Sequence, residues 1–340
     1  MPRTVVLVPT YDHVETLRPA VNSAVNQTDR DLEVHIIGDG APPATQQVAD
    51  ELCSRHRQVH FHAHPKSPRT GEPYRDALLR RVDAQFALYL SDDDVWAPDH
   101  CSVLTSALKD HDLASTLSTY VRPGETSIHL SRLQFADPAD CDLELHHQSR
   151  VSLTETGHRV DSYLQLPYGW RTTPTGEHTD HWMWKQWLAQ DWVRATTVEQ
   201  ITQIHFADFM RKEMPVGERV SEQEGWWERM SSPTWSTERT ELLIAALFEG
   251  FGHVDRSLLH HQRQVETLGK LLTETQAAKR TETNQLRTET NQLRTEIDRL
   301  TDQLTESTAE LQTMSHSRTW RYGQRAASLV GYRALRNLRR

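Results

Sequence analysis

The chain has 340 residues, a formal net charge of −9 and a hydrophobic content of 36%. Its mean hydropathy of −0.68 is low for a packed protein, so a non-globular segment is expected beside one large or two ordinary domains. The acidic balance argues against nucleic acid as a partner, and no apolar run approaches the ~20 residues that span a bilayer. Cys53, Cys101 and Cys141 form no CxxC pair. Neither a disulfide framework nor a cysteine zinc site is indicated, and a reducing, cytoplasmic compartment fits. The apolar run Thr4 to Val8 is too short for a signal-peptide core, and Pro9 ends it.

The first half alternates strand and helix signals. Thr4 to Val8 reads as a strand. Leu17 to Val25 carries helical spacing, with Leu17, Ala20, Val21, Ala24 and Val25 on one face. A strand at Leu32 to Ile37, a helix at Gln46 to His56, a strand at Val59 to His64 and a helix at Arg75 to Val82 follow. The next strand, Ala87 to Leu90, runs into Ser91-Asp92-Asp93-Asp94-Val95-Trp96. This order predicts an α/β fold with a mainly parallel sheet and helices on both faces. Each strand ends in polar residues, at Thr10-Tyr11-Asp12, at Asp39 and at Asp92 to Asp94. Ligands of open parallel sheets bind at that edge. Three adjacent carboxylates repel one another and are costly to bury without a cation. Their oxygens suit Mn²⁺ or Mg²⁺, shared with substrate phosphates.

Four segments resemble family 2 glycosyltransferases of the GT-A fold. They are Val5-Val6-Leu7-Val8-Pro9-Thr10-Tyr11-Asp12, Asn26-Gln27-Thr28 before Asp31-Leu32-Glu33-Val34, the turn Gly38-Asp39-Gly40, and Leu90 to Trp96. The resemblance covers roughly residues 1 to 215. It implies a donor nucleotide site at Pro9, Thr10, Tyr11, Asp39, Arg75 and Asp92. Tyr11 would stack on the base. Asp39 would accept a hydrogen bond from it, favouring uridine. Arg75 would approach the phosphates, and Asp92 the ribose or the metal shell. Asp93 is the expected direct metal ligand, with Asp94 beside it. Gly38 and Ser91 stand where the family keeps acids.

Residues 120 to 170 are polar and weakly periodic, and are expected to form loops and short strands. Thr179-Asp180-His181-Trp182 then opens a helix resembling the Glu-Asp-Trp start that holds the family's catalytic base, with Thr179 in place of the Glu. Asp180 is the candidate base; an aspartate at a helix start also serves as an N-cap. Trp170, Trp182, Trp184, Trp187 and Trp192 cluster nearby, mostly as core, with some available to an acceptor subsite. His205 either approaches the metal or packs in the core. His60, His62 and His64 alternate on one strand face. A zinc site there is rejected because no carboxylate lies close in sequence.

The last third differs. The heptad Arg-Thr-Glu-Thr-Asn-Gln-Leu begins at Arg280 and repeats at Arg287. Leu286, Leu293 and Leu300 fall on one position, and Thr283, Thr290, Ile297, Leu304 and Leu311 on its partner. This is a coiled-coil seam, and self-association as a dimer or trimer is expected. From His316 onward arginines recur without an acid, at 318, 321, 325, 333, 336, 339 and 340, among apolar residues. Such a tail suits peripheral contact with an anionic membrane.

The expected organisation is a GT-A domain at 1–235, a helical connector at 236–261, a coiled coil at 262–314 and the basic tail at 315–340. The expected activity is an inverting, metal-dependent transfer from a nucleotide-sugar donor, UDP-linked by preference, to a glycan or lipid-linked acceptor in cell-surface polysaccharide synthesis. The alternative is a catalytically degenerate nucleotide-sugar-binding domain on a coiled-coil scaffold.

Overall fold

The computed structural model describes residues 3–131, 133–146, 150–278 and 285–316, without side chains at 272–289 and 315–316. The chain divides into two units, residues 1–239 and 240–340.

In the first unit the predicted alternation is present. The elements are β1 (Thr4–Thr10), α1 (Leu17–Val25), β2 (Leu32–Asp39), α2 (Pro43–Arg55), β3 (Val59–His64), α3 (Glu72–Leu79) and β4 (Phe86–Tyr89). There follow β5 (Val95–Trp96), α4 (His100–Ala107), β6 (Leu113–Thr116), β7 (Ser118–Tyr120), β8 (His129–Ser131), α5 (Pro138–His146), β9 (Thr156–Arg159), α6 (Val160–Tyr163), α7 (Thr179–Leu188), β10 (Ala195–Val198), β11 (Gln203–Ile204) and α8 (Val216–Ser231). Seven strands form the main sheet in the order β10-β6-β9-β4-β1-β2-β3. Only β9 runs against its neighbours β4 and β6.

The period of two along β1 builds two cores. Val6 and Val8 pack with α1 and α2 on one face, and Val5 and Leu7 pack with α3 and the tryptophans of α7 on the other. The five residues expected on the inner face of α1 are all buried. Fully burying an aliphatic side chain contributes roughly 1.5–3 kcal/mol, so this stripe anchors α1 to the sheet.

Gln27 ties α1 to the segment after the acidic triplet. Its amide donates to Ser23 O at 3.0 Å and Ala97 O at 2.8 Å, and its Oε1 accepts from Cys101 N at 2.8 Å. Thr28 donates to Pro98 O through both its backbone N–H and its hydroxyl. The Asn-Gln-Thr segment thereby holds the chain that leaves the acids.

Residues 120 to 170 hold more regular structure than their polarity suggests. They include α5, α6 and the interior strand β9. Thr156 and His158 of β9 are buried polar residues, and His158 Nε2 lies 2.6 Å from the Tyr89 hydroxyl. Hydrogen bonds replace the apolar alternation by which such a strand is normally found. A Cβ at Gly157 would lie 2.2 Å from Leu88 Cδ2, so a larger residue there would require the Leu88 side chain to shift.

The second unit contains most of α9 (Trp235–Ala278) and α10 (Gln285–His316). On α10, Thr290 and Leu300 are buried while most positions between the seam residues are exposed. No helix among the described residues is long and apolar enough to cross a membrane. Thr283 and the arginine-rich tail beyond His316 lie outside the described residues.

Candidate active site

The C-terminal ends of β1, β2 and β4 open onto one cleft of about 780 Å³. Its walls include Pro9, Thr10, Tyr11, His13, Asp39, Lys66, Arg75, Asp92, Asp93, Asp180 and His205. Every expected site residue is therefore on the cleft wall except Asp94.

At one end, Asp39 is buried at the tip of β2. It accepts from Ser67 N at 2.5 Å, Ser67 Oγ at 3.0 Å and Lys66 Nζ at 2.5 Å. Lys66 Nζ also lies 5.2 Å from the centre of the exposed Tyr11 ring. The turn here depends on its glycines. Gly40 has φ +72°, and a Cβ on it would strike the Lys66 backbone at 2.8 Å. A Cβ at Gly38 would meet the Phe61 ring at 2.8 Å, so the acid found there in the resembled turn would require that ring to shift.

At the centre, His13 Nδ1, Asp92 and Asp93 offer one donor atom each within 4.8 Å of one another. One imidazole and two carboxylates suit Mn²⁺ or Mg²⁺. His13 Nδ1 sits 2.8 Å from Asp92 Oδ1. That hydrogen bond, helped by the charges of Asp93 and Asp12, outweighs burial and raises the imidazole to about 9. Burial, and then the neighbouring carboxylates of Asp94 and Asp92, hold Asp93 well above the usual range. A divalent cation would relieve both perturbations, by taking the place of the His13 proton and by neutralising the acids.

Asp94 does something else. Its fully buried carboxylate accepts from Phe206 N at 2.8 Å, from His205 Nδ1 at 3.0 Å and from the Thr154 hydroxyl. The carboxylate expected beside Asp93 as a ligand thus pins β11 and the approach to β9 beneath the site. His205 faces the cleft while bonded to Asp94. Burial opposes its charge, but Asp94, Asp93 and Glu155 together raise it to about 10. The backbone N–H of Ser91 donates to Thr154 Oγ1 at 3.1 Å, adding to this arrangement.

Asp180 opens α7 on the cleft wall. Its Oδ2 accepts from Leu153 N at 3.0 Å, and no side-chain cap bond exists at the start of α7. Burial raises its pKa, and the nearby Arg75 charge works in the other direction. Arg75 is itself buried, 4.1 Å above the Trp170 ring, and its Nε has no hydrogen-bond partner among the described residues. It donates to Thr70 Oγ1 at 3.3 Å.

Residues 5–165 match the model of Glycosyl transferase family 2. This part of the chain is a family 2 glycosyltransferase domain. The chain also shares 19% identity over 131 residues with an uncharacterized glycosyltransferase of Rickettsia bellii, a match covering 38% of this chain. The chain spans only 18% of that relative's length. Among solved structures, S. aureus TarS 1–349 aligns at TM-score 0.47 and 14% identity, over 73% of this chain and 79% of that one. The mannosyltransferase PcManGT from Pyrobaculum calidifontis, in complex with GDP-Man and Mn²⁺, aligns at 0.44 and 15%, over 99% and 81%.

Some residues of the glycosyltransferase cleft were not foreseen. His13 lies three residues past β1, and Lys66 two past β3; both sit at the same sheet edge as the acids, which is the signal that could have found them. The tryptophans serve mainly as core, as expected, rather than as an acceptor subsite. None lines the cleft. Trp170, Trp184 and Trp187 are buried around Tyr89 and His158.

Proposed function

We propose that the chain is an inverting, metal-dependent glycosyltransferase that moves a sugar from a UDP-linked donor to a glycan or lipid-linked acceptor, serving cell-surface polysaccharide synthesis. The observation that carries this reading is the grouping of Tyr11 and Asp39, the His13–Asp92–Asp93 donors and Asp180 along one cleft.

Tyr11 offers an exposed ring for the base to stack on. A carboxylate has about four lone-pair sites. Three on Asp39 are taken by Ser67 and Lys66. The remaining one suits the single N3–H of uracil better than the paired donors of guanine. His13, Asp92 and Asp93 would hold Mn²⁺ or Mg²⁺. When bound, the ion supplies positive charge to the diphosphate oxygens and to the departing nucleotide. Arg75 adds a fixed guanidinium beside the phosphates and Asp180.

Asp180 takes the proton of the acceptor hydroxyl as that oxygen bonds to the anomeric carbon. The bond from that carbon to the diphosphate oxygen breaks on the opposite face, which inverts the configuration. Leu153 N–H fixes one Asp180 oxygen and leaves the other for the proton.

The α10 seam would join chains into a dimer or trimer, and the basic tail would bring them to an anionic membrane surface where a lipid-linked acceptor lies. The test is thermal unfolding against a panel of nucleotide sugars, with Mn²⁺ or with EDTA. The expected result is stabilisation by UDP-sugars in Mn²⁺ alone. Stabilisation by no UDP-sugar, or equally in EDTA, contradicts the reading.

A further inference from the structure

At the opposite end of β2 from the cleft, the sheet carries a cluster of imidazoles that the transfer reaction does not use. β3 is the edge strand, and its register on β2 sets His60 beside His35. Glu33 and His35 are two residues apart on β2 and share a face. The Glu33 Oε2 atom lies 3.6 Å from His35 Nε2 and 3.8 Å from His60 Nε2. The carboxylate missing from the sequence around His60, His62 and His64 is thus supplied by the neighbouring strand. His64 belongs elsewhere, stacked on Tyr74 at 4.1 Å.

We propose that Glu33, His35 and His60 form a second metal site, for a borderline divalent ion such as Zn²⁺, Co²⁺ or Ni²⁺. Three features point to it. First, His35 Nε2 is buried, has no hydrogen-bond partner among the described residues, and faces Glu33. Second, His35 Nδ1 lies 2.9 Å from His62 Nε2. In the tautomer with Nδ1–H donating to His62, the lone pair of His35 Nε2 is free on the Glu33 side, where an electron-pair acceptor can share it with the carboxylate. A metal-binding histidine is commonly fixed through its other nitrogen in this way. Third, Glu33 Oε2 is near the spacing one ion needs from each imidazole in turn, while the two imidazole nitrogens stand more than 4.8 Å apart and must close up. Two ligands of a tetrahedral zinc sit about 3.3 Å apart, a few tenths of an ångström less than the two contacts here.

The His35 and His60 rings are 5.2 Å apart between centroids. His60, whose side chain is 43% exposed, swings toward His35 to complete the site. Burial, with the neighbouring His62 and His60, lowers His35 to about 3, so its imidazole is already neutral at pH 7. Imidazole nitrogens with one carboxylate prefer zinc-like ions, whereas the two carboxylates of the cleft suit Mn²⁺ or Mg²⁺. Three protein ligands leave one position open to water. Asp39 lies six positions along β2 from Glu33, about 20 Å of strand, so the two sites are distinct.

The experiment is Zn²⁺ titration by calorimetry, and Co²⁺ titration by visible absorption, on the full chain in excess Mg²⁺. The variants Glu33→Gln and His60→Ala alter partly exposed side chains, and circular dichroism checks that they fold. His64→Ala serves as a control. One Zn²⁺ per chain should bind despite the Mg²⁺, and each site variant should weaken it at least tenfold while His64→Ala leaves it within twofold. The proposal is overturned if no Zn²⁺ binds, if both site variants bind as tightly as the wild type, or if Asp93→Asn rather than Glu33→Gln removes the ion.

Discussion

His13 Nδ1 stands 2.8 Å from Asp92 Oδ1, with the Asp93 carboxylate alongside. In the metal-free protein a proton on His13 does part of what a divalent cation would do, and cation and proton compete for the same imidazole. His13 is raised to about 9. Mn²⁺ affinity should therefore rise with pH, by up to tenfold per unit between about pH 6.5 and 8.5. His13→Gln should flatten this slope. Calorimetric Mn²⁺ titrations at four pH values decide it, and a pH-independent affinity in the wild type would count against His13 as a ligand.

Asp93 and Asp94 should separate by phenotype. Asp93→Asn should abolish Mn²⁺ binding and leave unfolding nearly unchanged. Asp94→Asn places an NH₂ group among donors from Phe206, His205 and Thr154. Hydrogen bonds to a buried charge contribute about 1.5–3 kcal/mol each, so a loss of about 3 kcal/mol is expected. For a domain of this size that lowers Tm by roughly 6–12 °C. Equal Tm values for the two variants would show that Asp94 does not pin the site.

How much of this was legible in the sequence follows from the kind of force involved. β1 to β4 and their helices were read at once, because their apolar periods of two and 3.6 match what the two cores bury. The acids and Asp180 were legible because charge at a strand end or helix start is uncommon and has few uses. β9 was missed because its buried residues, Thr156 and His158, are polar, and His158 finds its Tyr89 partner 69 residues away. The same reason hid the role of Asp94, whose three donors lie 60 to 112 residues away.

Stability without metal should fall in alkaline solution. His205 is raised to about 10 and His13 to about 9. The unfolded chain releases these protons near pH 6.5 while the folded chain keeps them. The contribution is therefore complete below pH 6.5 and lost as pH rises toward 10, at no more than about 1.4 kcal/mol per unit from His205. Thermal unfolding in EDTA between pH 7 and 9.5 should show the fall, and His205→Gln should reduce it. A Tm independent of pH over that range would contradict the assignment of these charges.

The heptads should set oligomeric state. A chain ending at Pro233 should be monomeric by light scattering, and the full chain a dimer or trimer. Identical states would remove the coiled-coil seam from the account.

Asp180→Asn tests the central claim most directly. Asp180 is the carboxylate proposed as general base, and general-base catalysis contributes about 10²–10⁴-fold. With the UDP-sugar identified by the stability panel, and Mn²⁺ present, transfer should fall by at least about 100-fold, while the Kd for UDP stays within twofold of wild type. Transfer retained at the wild-type rate, or UDP binding lost in parallel with it, would contradict the account.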